Sequence, residues 1–284
     1  MNRIKTKLAN LSEMVMFKHS IFSLPFIFIA MLVASDGWFG WKLLVLGTFA
    51  AVSARNFAMG VNRYLDRDID VLNPRTKDRP SVDGRVSHLT MQIFIVVNAF
   101  IFIAVAYFIN PLAFKLSFPI LAILGAYTLF KRFSSMAHLI LGLTLGLAPI
   151  AGVVAVSGEI TIWSLYLAGG VLFWVAGFDL LYSLQDIEFD KEHGLHSIPS
   201  QFGAKKTMLI AKVFHFITIM LWLIFIQSAN LGLFATLAVL LSAVMLTYEH
   251  YLVNKDFTKI DKAFFTVNGY LGIMFFILII LEVM

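Results

Sequence analysis

Two clusters of acidic side chains stand in a chain otherwise rich in hydrocarbon. The first is Asn62-Arg63-Tyr64-Leu65-Asp66-Arg67-Asp68-Ile69-Asp70, and the second runs from Asp179 through Tyr182, Asp186 and Glu188 to Asp190. On an α-helix, groups four residues apart fall within roughly 40° of one another. The spacing predicts one oxygen-bearing stripe from Asn62, Asp66 and Asp70 and a second from Asp186 and Asp190. Carboxylates at i and i+4 on a helix repel each other, so each stripe calls for a cation. Magnesium suits them, being a hard ion usually held by one or two carboxylates together with waters and substrate phosphates. Asn62, Asp66, Asp70, Asp186 and Asp190 are therefore candidate metal ligands, and the four aspartates are candidate catalytic residues.

Two such clusters can hold magnesium ions that bridge a diphosphate, and basic side chains would complete the clamp. Arg75 and Arg79 lie in the Pro-bounded segment Asn73-Pro74-Arg75-Thr76-Lys77-Asp78-Arg79-Pro80, and Lys191 follows the second cluster directly. Arginine offers phosphate a planar fork and lysine a point charge. Lys77 and Lys205 read as topology signals, and Arg63, Arg67 and Asp68 as charges on a solvated helix end.

Two charges lie deeper: Arg55, two turns before Asn62, and Asp179, two turns before Asp186. An ionised group at the bilayer centre costs on the order of 2.5–3.5 kcal/mol on insertion scales, so such groups line cavities or pair with one another. Either Arg55 and Asp179 form a structural pair, or Arg55 receives an anionic group of an acceptor while Asp179 or Tyr182 positions or deprotonates it. Tyr127 and Phe178 can flank a carbocation with their ring faces. Histidines 19, 88, 138, 193 and 196 show no metal-ligand spacing, and catalytic zinc is not expected.

These residues must be positioned by a membrane bundle. The chain has 284 residues, 60% of them hydrophobic and 14% charged, with a mean hydropathy of +0.85, well beyond a soluble domain. Apolar stretches near 16–35, 41–62, 89–109, 112–130, 137–156, 161–184, 207–227, 231–250 and 263–283 each approach the ~20 residues that cross a bilayer. The expectation is all-α: about nine transmembrane helices in one domain, 1–284, with no period-two strands of a barrel. The motifs close the second and sixth helices, which suggests two parallel four-helix quasi-repeats plus one helix, facing each other across one cavity. Long polar segments at 71–88 and 185–206 read as cap loops.

Basic residues before the first helix, after the second and fourth, and between later pairs place the N-terminus and both motifs in the cytoplasm and the C-terminus outside. The net charge of +5 is then mainly a topology signal with a pull toward anionic lipid. Nucleic acid need not be invoked, and no obligate protein partner is evident. Absence of cysteine removes disulfides, thiolate metal sites and cysteine nucleophiles. The basic, then apolar, N-terminus is read as a first membrane helix rather than a secretory signal.

The Asn-x-x-x-Asp-x-x-x-Asp and Asp-x-x-x-Asp motifs resemble those of the UbiA superfamily of membrane prenyltransferases. The flanks Asn73-Pro74-Arg75-Thr76, Arg79-Pro80, Lys131-Arg132 and Gly194-Leu195-His196-Ser197-Ile198-Pro199 resemble its 4-hydroxybenzoate polyprenyltransferase branch. The likeness covers nearly the whole chain. Arg63, where many such enzymes have Asp, and Ser81, where Leu is common, depart from it. The Asn-Arg variant looks more like a subgroup that prenylates 1,4-dihydroxy-6-naphthoate in futalosine-route menaquinone synthesis.

The resemblance implies a nine-helix enzyme of a bacterial inner membrane, working beside membrane lipid. It would move a polyprenyl group from an allylic polyprenyl diphosphate, with Mg2+, to an aromatic acid or naphthoate. Asp66, Asp70, Asp179, Tyr182, Asp186 and Asp190 would act in catalysis, and Arg55, Asn62, Arg75, Arg79, Tyr127, Lys131 and Lys191 in substrate binding. Within the same fold, haem is the alternative acceptor. A secondary transporter is the reading from another class, disfavoured because the charge clusters lie at one interface and no inverted repeat or central broken helices appear. A lipid-binding scaffold gives no reason for paired carboxylates.

Overall fold

The computed structural model describes residues 2–16 and 24–284, with side chains from Lys5 onward. Every regular element among them is helical. In chain order these are α1 (Asn2–Met14), α2 (Leu24–Ser35), α3 (Trp41–Leu65), α4 (His88–Ile109), α5 (Pro111–Ala126), α6 (Ala137–Ser157), α7 (Ile162–Tyr182), α8 (Ile198–Ser228), α9 (Leu233–Lys255) and α10 (Asn268–Val283). Shorter turns join them, including a π-helical turn at Ala263–Val267.

Eight helical stretches among the described residues are long and apolar enough to cross a membrane, and α2 is a shorter apolar helix. The start of the first expected span, from residue 17 to 23, lies outside the described residues. The other expected spans match observed helices, with one correction. The segment 185–206 was expected as a loop, yet α8 already begins at Ile198. Ser197 caps it, its hydroxyl accepting from the Ser200 N–H while the Ser200 hydroxyl accepts from the Ser197 N–H, and Pro199 occupies the first turn. These are ordinary helix-starting devices. Gly203 then bends the helix with a φ of 75°, a conformation open to residues without a Cβ.

The helix that carries the second motif is the most enclosed. Of its membrane window, 67% is buried, including Leu167, Val171, Trp174 and Val175. Lipid tails provide no hydrophobic drive between helices, so packing depends on close backbone approach over small residues. Gly142 and Gly146 of α6 face the carbonyls of Leu172 and Ala168, and Gly177 of α7 lies against the His215 ring of α8. Phe26, Trp174, Trp222 and Phe275 pack as rings, with Phe26 and Trp174 centroids 5.1 Å apart and Trp222 and Phe275 5.0 Å apart. This core holds α7 in register with α6, and so fixes where its motif emerges.

A Cβ at Gly142 would collide with the Leu172 carbonyl oxygen, and overpacking of this kind typically costs about 1–3 kcal/mol. Gly142→Leu should therefore lower the thermal midpoint in detergent. An unchanged midpoint would show that α6 and α7 do not approach so closely.

Candidate active site

Both motifs begin where a membrane helix stops being α-helical. α3 ends at Leu65, and Asp66 sits outside it at φ −90°, ψ 5°. A single turn, Arg67–Asp70, follows. The Asp66 N–H still donates to the Asn62 carbonyl at 2.9 Å and the Asp70 N–H to the Asp66 carbonyl at 2.7 Å, so the four-residue spacing survives the break. The second motif departs further from the expected helical face. After Tyr182 the chain tightens into a 3-10 turn, Ser183–Asp186, before the short helix Ile187–Glu192. Asp186 ends that turn at φ −103°, ψ 7°, much as Asp66 ends α3, and Asp186 and Asp190 take different partners.

Each of the four aspartates is matched to a donor. Asp66 is 2% exposed, and its Oδ2 accepts from Asn62 Nδ2 at 2.7 Å and Thr128 Oγ1 at 2.8 Å. Lys131 Nζ lies 2.7 Å from the same oxygen. Asp70 receives Arg79 Nη1 on both oxygens at 2.8 Å. Asp186 takes a fork from Arg75, Nη2 at 2.5 Å and Nε at 3.2 Å, and Asn73 Nδ2 at 3.2 Å. Asp190 accepts from Ser197 Oγ at 2.7 Å. The Pro-bounded segment thus spans the two motifs, Arg79 on the first and Arg75 on the second. Burial alone would lower the Arg75 pKa, but its hydrogen bond to Asp186 and that carboxylate's charge leave it raised, so the guanidinium stays fully charged. Outside the cluster, Asp68 is held below the usual carboxylate range, first by its hydrogen bond from Arg132.

Below the motifs lies a cavity of about 600 Å³. Arg55, Arg63, Arg75 and Arg79 reach its wall, together with Asp179, Tyr182, Tyr127 and Asp261. The remainder is mostly hydrocarbon, from Ala58 and Phe178 to Ala50, Leu147 and Ala151, with Thr144 among it. Ala50 and Arg63 both line it, a step along α3 of about 20 Å at 1.5 Å per residue.

The structure corrects one expectation and locates the residues of two others. Arg63 is no solvated helix-end charge: it is 5% exposed, lines the cavity, and donates to the Met14 carbonyl at 3.2 Å and to Asn62 Oδ1 at 2.8 Å. It turns inward because the end of α1 covers it and supplies that carbonyl. Lys191, expected to bind substrate, is exposed beside Glu188 at 3.7 Å, because the short helix that bears it buries no residue. For Asp179, the partner is His138 Nδ1 at 2.7 Å rather than Arg55, which donates to the Val15 and Met16 carbonyls. His138, Thr128, Ser197 and Asp261 stand at the site without a spacing signal that marks them, and His138 meets Asp179 from another helix.

The donor set is oxygen only, as a hard divalent cation requires. One observation favours such an ion: Asp66 Oδ1 is buried and makes no hydrogen bond, and Arg132 Nη2 stands off at 3.9 Å, so this oxygen keeps a lone pair for a further cation. Among the described residues no three His, Asp or Glu side chains gather closely enough to hold an ion alone. An ion here needs oxygens from water and a bound phosphate to complete its shell. Asn62 orients Asp66 and accepts from Arg63, so its own oxygen is already engaged.

The model of the UbiA prenyltransferase family matches residues 23–279. A 4-hydroxybenzoate octaprenyltransferase of Vesicomyosocius okutanii is 29% identical over 258 residues, covering 89% of this chain and 93% of that protein. A UbiA homologue from Aeropyrum pernix K1, solved in its apo state, superposes with a TM-score of 0.85 at 32% identity, over 93% of this chain and 98% of that one. A UbiA homologue from Archaeoglobus fulgidus bound to GPP and Mg2+ has the same fold, with a TM-score of 0.75 at 20% identity over 95% and 99% of the two chains. With the family match running almost the length of the bundle, the chain belongs to the UbiA prenyltransferase family.

Proposed function

We propose that this protein transfers a polyprenyl group from an allylic polyprenyl diphosphate to a phenolic aromatic carboxylate, with Mg2+, in respiratory quinone synthesis. The observation that carries this reading is a cavity walled by Arg63, Arg75 and Arg79 near the motifs, by Arg55 two turns deeper along α3, and mostly by hydrocarbon side chains along the rest. Only an amphiphile with a multiply charged anionic head and an apolar tail matches both parts. The curated relative that acts as a 4-hydroxybenzoate octaprenyltransferase, and the related fold that holds GPP with Mg2+, support the same substrate classes.

The chain's own groups divide the work. Asp66, Asp70, Asp186 and Asp190 would hold the metal. Arg75, Arg79 and Lys131, which neutralise these carboxylates when no ligand is bound, would turn to the diphosphate, arginine by its fork and lysine as a point charge. Bound magnesium supplies charge neutralisation of the departing diphosphate. As the allylic C–O bond breaks, a ring carbon beside the phenolic hydroxyl forms the new C–C bond, and the ring C–H proton leaves with its electron pair returning to the ring. Asp179, fixed by His138, faces the cavity where that proton is released, beside Tyr182. The apolar wall, including Phe178 and Tyr127, excludes water that would quench the cation. The basic residues around the motifs favour a cytoplasmic position for this end.

Arg55 and Arg63 form the cationic end for the acceptor carboxylate. The Asn62-Arg63 variant of the first motif favours a second reading, in which the acceptor is 1,4-dihydroxy-6-naphthoate for menaquinone rather than 4-hydroxybenzoate for ubiquinone. Incubation with an allylic diphosphate, Mg2+ and both acceptors should yield one prenylated ring; failure with every phenolic carboxylate would overturn the reading. Asp66→Ala and Asp190→Ala should each abolish product, and undiminished turnover in both would exclude the metal clamp. Losing a hydrogen bond to a charged group costs about 1.5–3 kcal/mol. Arg55→Leu should accordingly raise the acceptor KM by roughly ten- to a hundredfold at little cost to donor KM; an unchanged acceptor KM would remove Arg55 from acceptor binding.

A further inference from the structure

A second polar network lies in the membrane, outside the groups used above. Glu249 of α9 and Asn268 at the start of α10 are both fully buried. Asn268 Nδ2 donates to Glu249 Oε1 at 2.7 Å, and Asn268 Oδ1 accepts from the indole of Trp174 on α7 at 2.7 Å. His215 Nε2 stands 3.3 Å from the Trp174 carbonyl. Buried polar groups in a hydrocarbon solvent are expensive unless satisfied, and this set joins three helices around the one that bears Asp179 and Tyr182.

The same amide of Asn268 also donates backward, to the Phe264 carbonyl at 3.2 Å and the Ala263 carbonyl at 3.4 Å. Those carbonyls belong to the π-helical turn Ala263–Val267. A π-turn is rare and disturbs the normal ladder, commonly at a functional site. Here the Asn268 side chain adds a donor to two carbonyls of the widened turn. The turn bears Phe264 and Phe265, both on the cavity wall. Phe264 packs on Tyr182 with centroids 4.3 Å apart and on Phe178 at 5.1 Å. Tyr182 in turn accepts from Arg75 at 3.1 Å, and Arg75 grips Asp186. A continuous line of contacts therefore runs from the second motif to the buried network.

We infer that Glu249, Asn268 and Trp174 are positioning residues that hold the π-turn so that Phe264 and Phe265 close the reacting end of the cavity against water. The aromatic faces there both exclude solvent and stabilise a neighbouring cation. The network thus sets the fate of the allylic cation: capture by the acceptor ring or by water, the latter releasing free prenyl alcohol and a proton. This inference rests on the prenyl-transfer reading.

The test measures two products at once, prenylated aromatic and free prenyl alcohol, from an allylic diphosphate, Mg2+ and the acceptor. In folded Asn268→Leu the alcohol-to-product ratio should rise on the order of tenfold, below the ~100-fold a 1 Å misplacement near the chemistry can cost. Glu249→Gln keeps an oxygen for Asn268 and should hold the parent ratio, whereas Glu249→Leu should not. A merely structural role would lower total turnover or yield and leave the ratio alone, and that result in folded Asn268→Leu overturns the inference. If Asn268→Leu does not fold, Phe264→Leu, with the network intact, must raise the ratio; an unchanged ratio there overturns the inference equally. No prenylated product from the parent protein would instead overturn the prenyl-transfer reading itself.

Discussion

Charge neutralisation at the edge of a hydrocarbon slab governs the rest of this structure. Four aspartates stand at the end of an apolar bundle, and Asp66 and Asp70 are almost wholly removed from water. An unpaired charge in such a place is costly, so the chain brings Lys131, Arg79 and Arg75 to Asp66, Asp70 and Asp186. These pairings decide the path of the 73–79 segment, which would otherwise be a tether of turns. They also tie the ends of two helices together, which gives the cavity its charged mouth.

The same pairings make the site exchangeable. A carboxylate facing a guanidinium inside the chain can face a metal instead, while the guanidinium faces phosphate, and the total charge is balanced in both states. Asp66 Oδ1 is buried, accepts no hydrogen bond and has Arg132 Nη2 only at 3.9 Å, so the internal match of this carboxylate is incomplete. Below this mouth the wall turns to alanine, leucine and phenylalanine, suited to a tail that needs dispersion contacts and no hydrogen bonds. Polar groups that reappear deeper include Asp179, bonded to His138, and Glu249, whose Oε1 accepts from Asn268.

Much of this was legible in the sequence. Apolar runs of bilayer length located the spans, and four-residue acidic spacing located Asp66, Asp70, Asp186 and Asp190. What escaped depended on tertiary meeting or on local departures from α-geometry. Arg63 looks like a helix-end charge until the end of α1 is laid across it. His138 has no sequence neighbour that marks it, since Asp179 reaches it from another helix. The 3-10 turn at Ser183–Asp186 interrupts the helical wheel before the second motif, and Lys191 lies on a short helix that buries no residue. The π-turn at Ala263–Val267 has no periodic signature, because five residues are too few to show one.

The central claim is that the cavity recognises a diphosphate head through cations and carboxylates while an apolar channel takes the tail. Its most direct measurement is the equilibrium binding of an unreactive prenyl thiodiphosphate analogue, compared with the corresponding prenyl alcohol, with and without Mg2+. The account predicts tight binding of the analogue only with Mg2+ present, lost on chelation, and weak binding of the alcohol under either condition. Equal affinity for alcohol and analogue, indifferent to Mg2+, would contradict it.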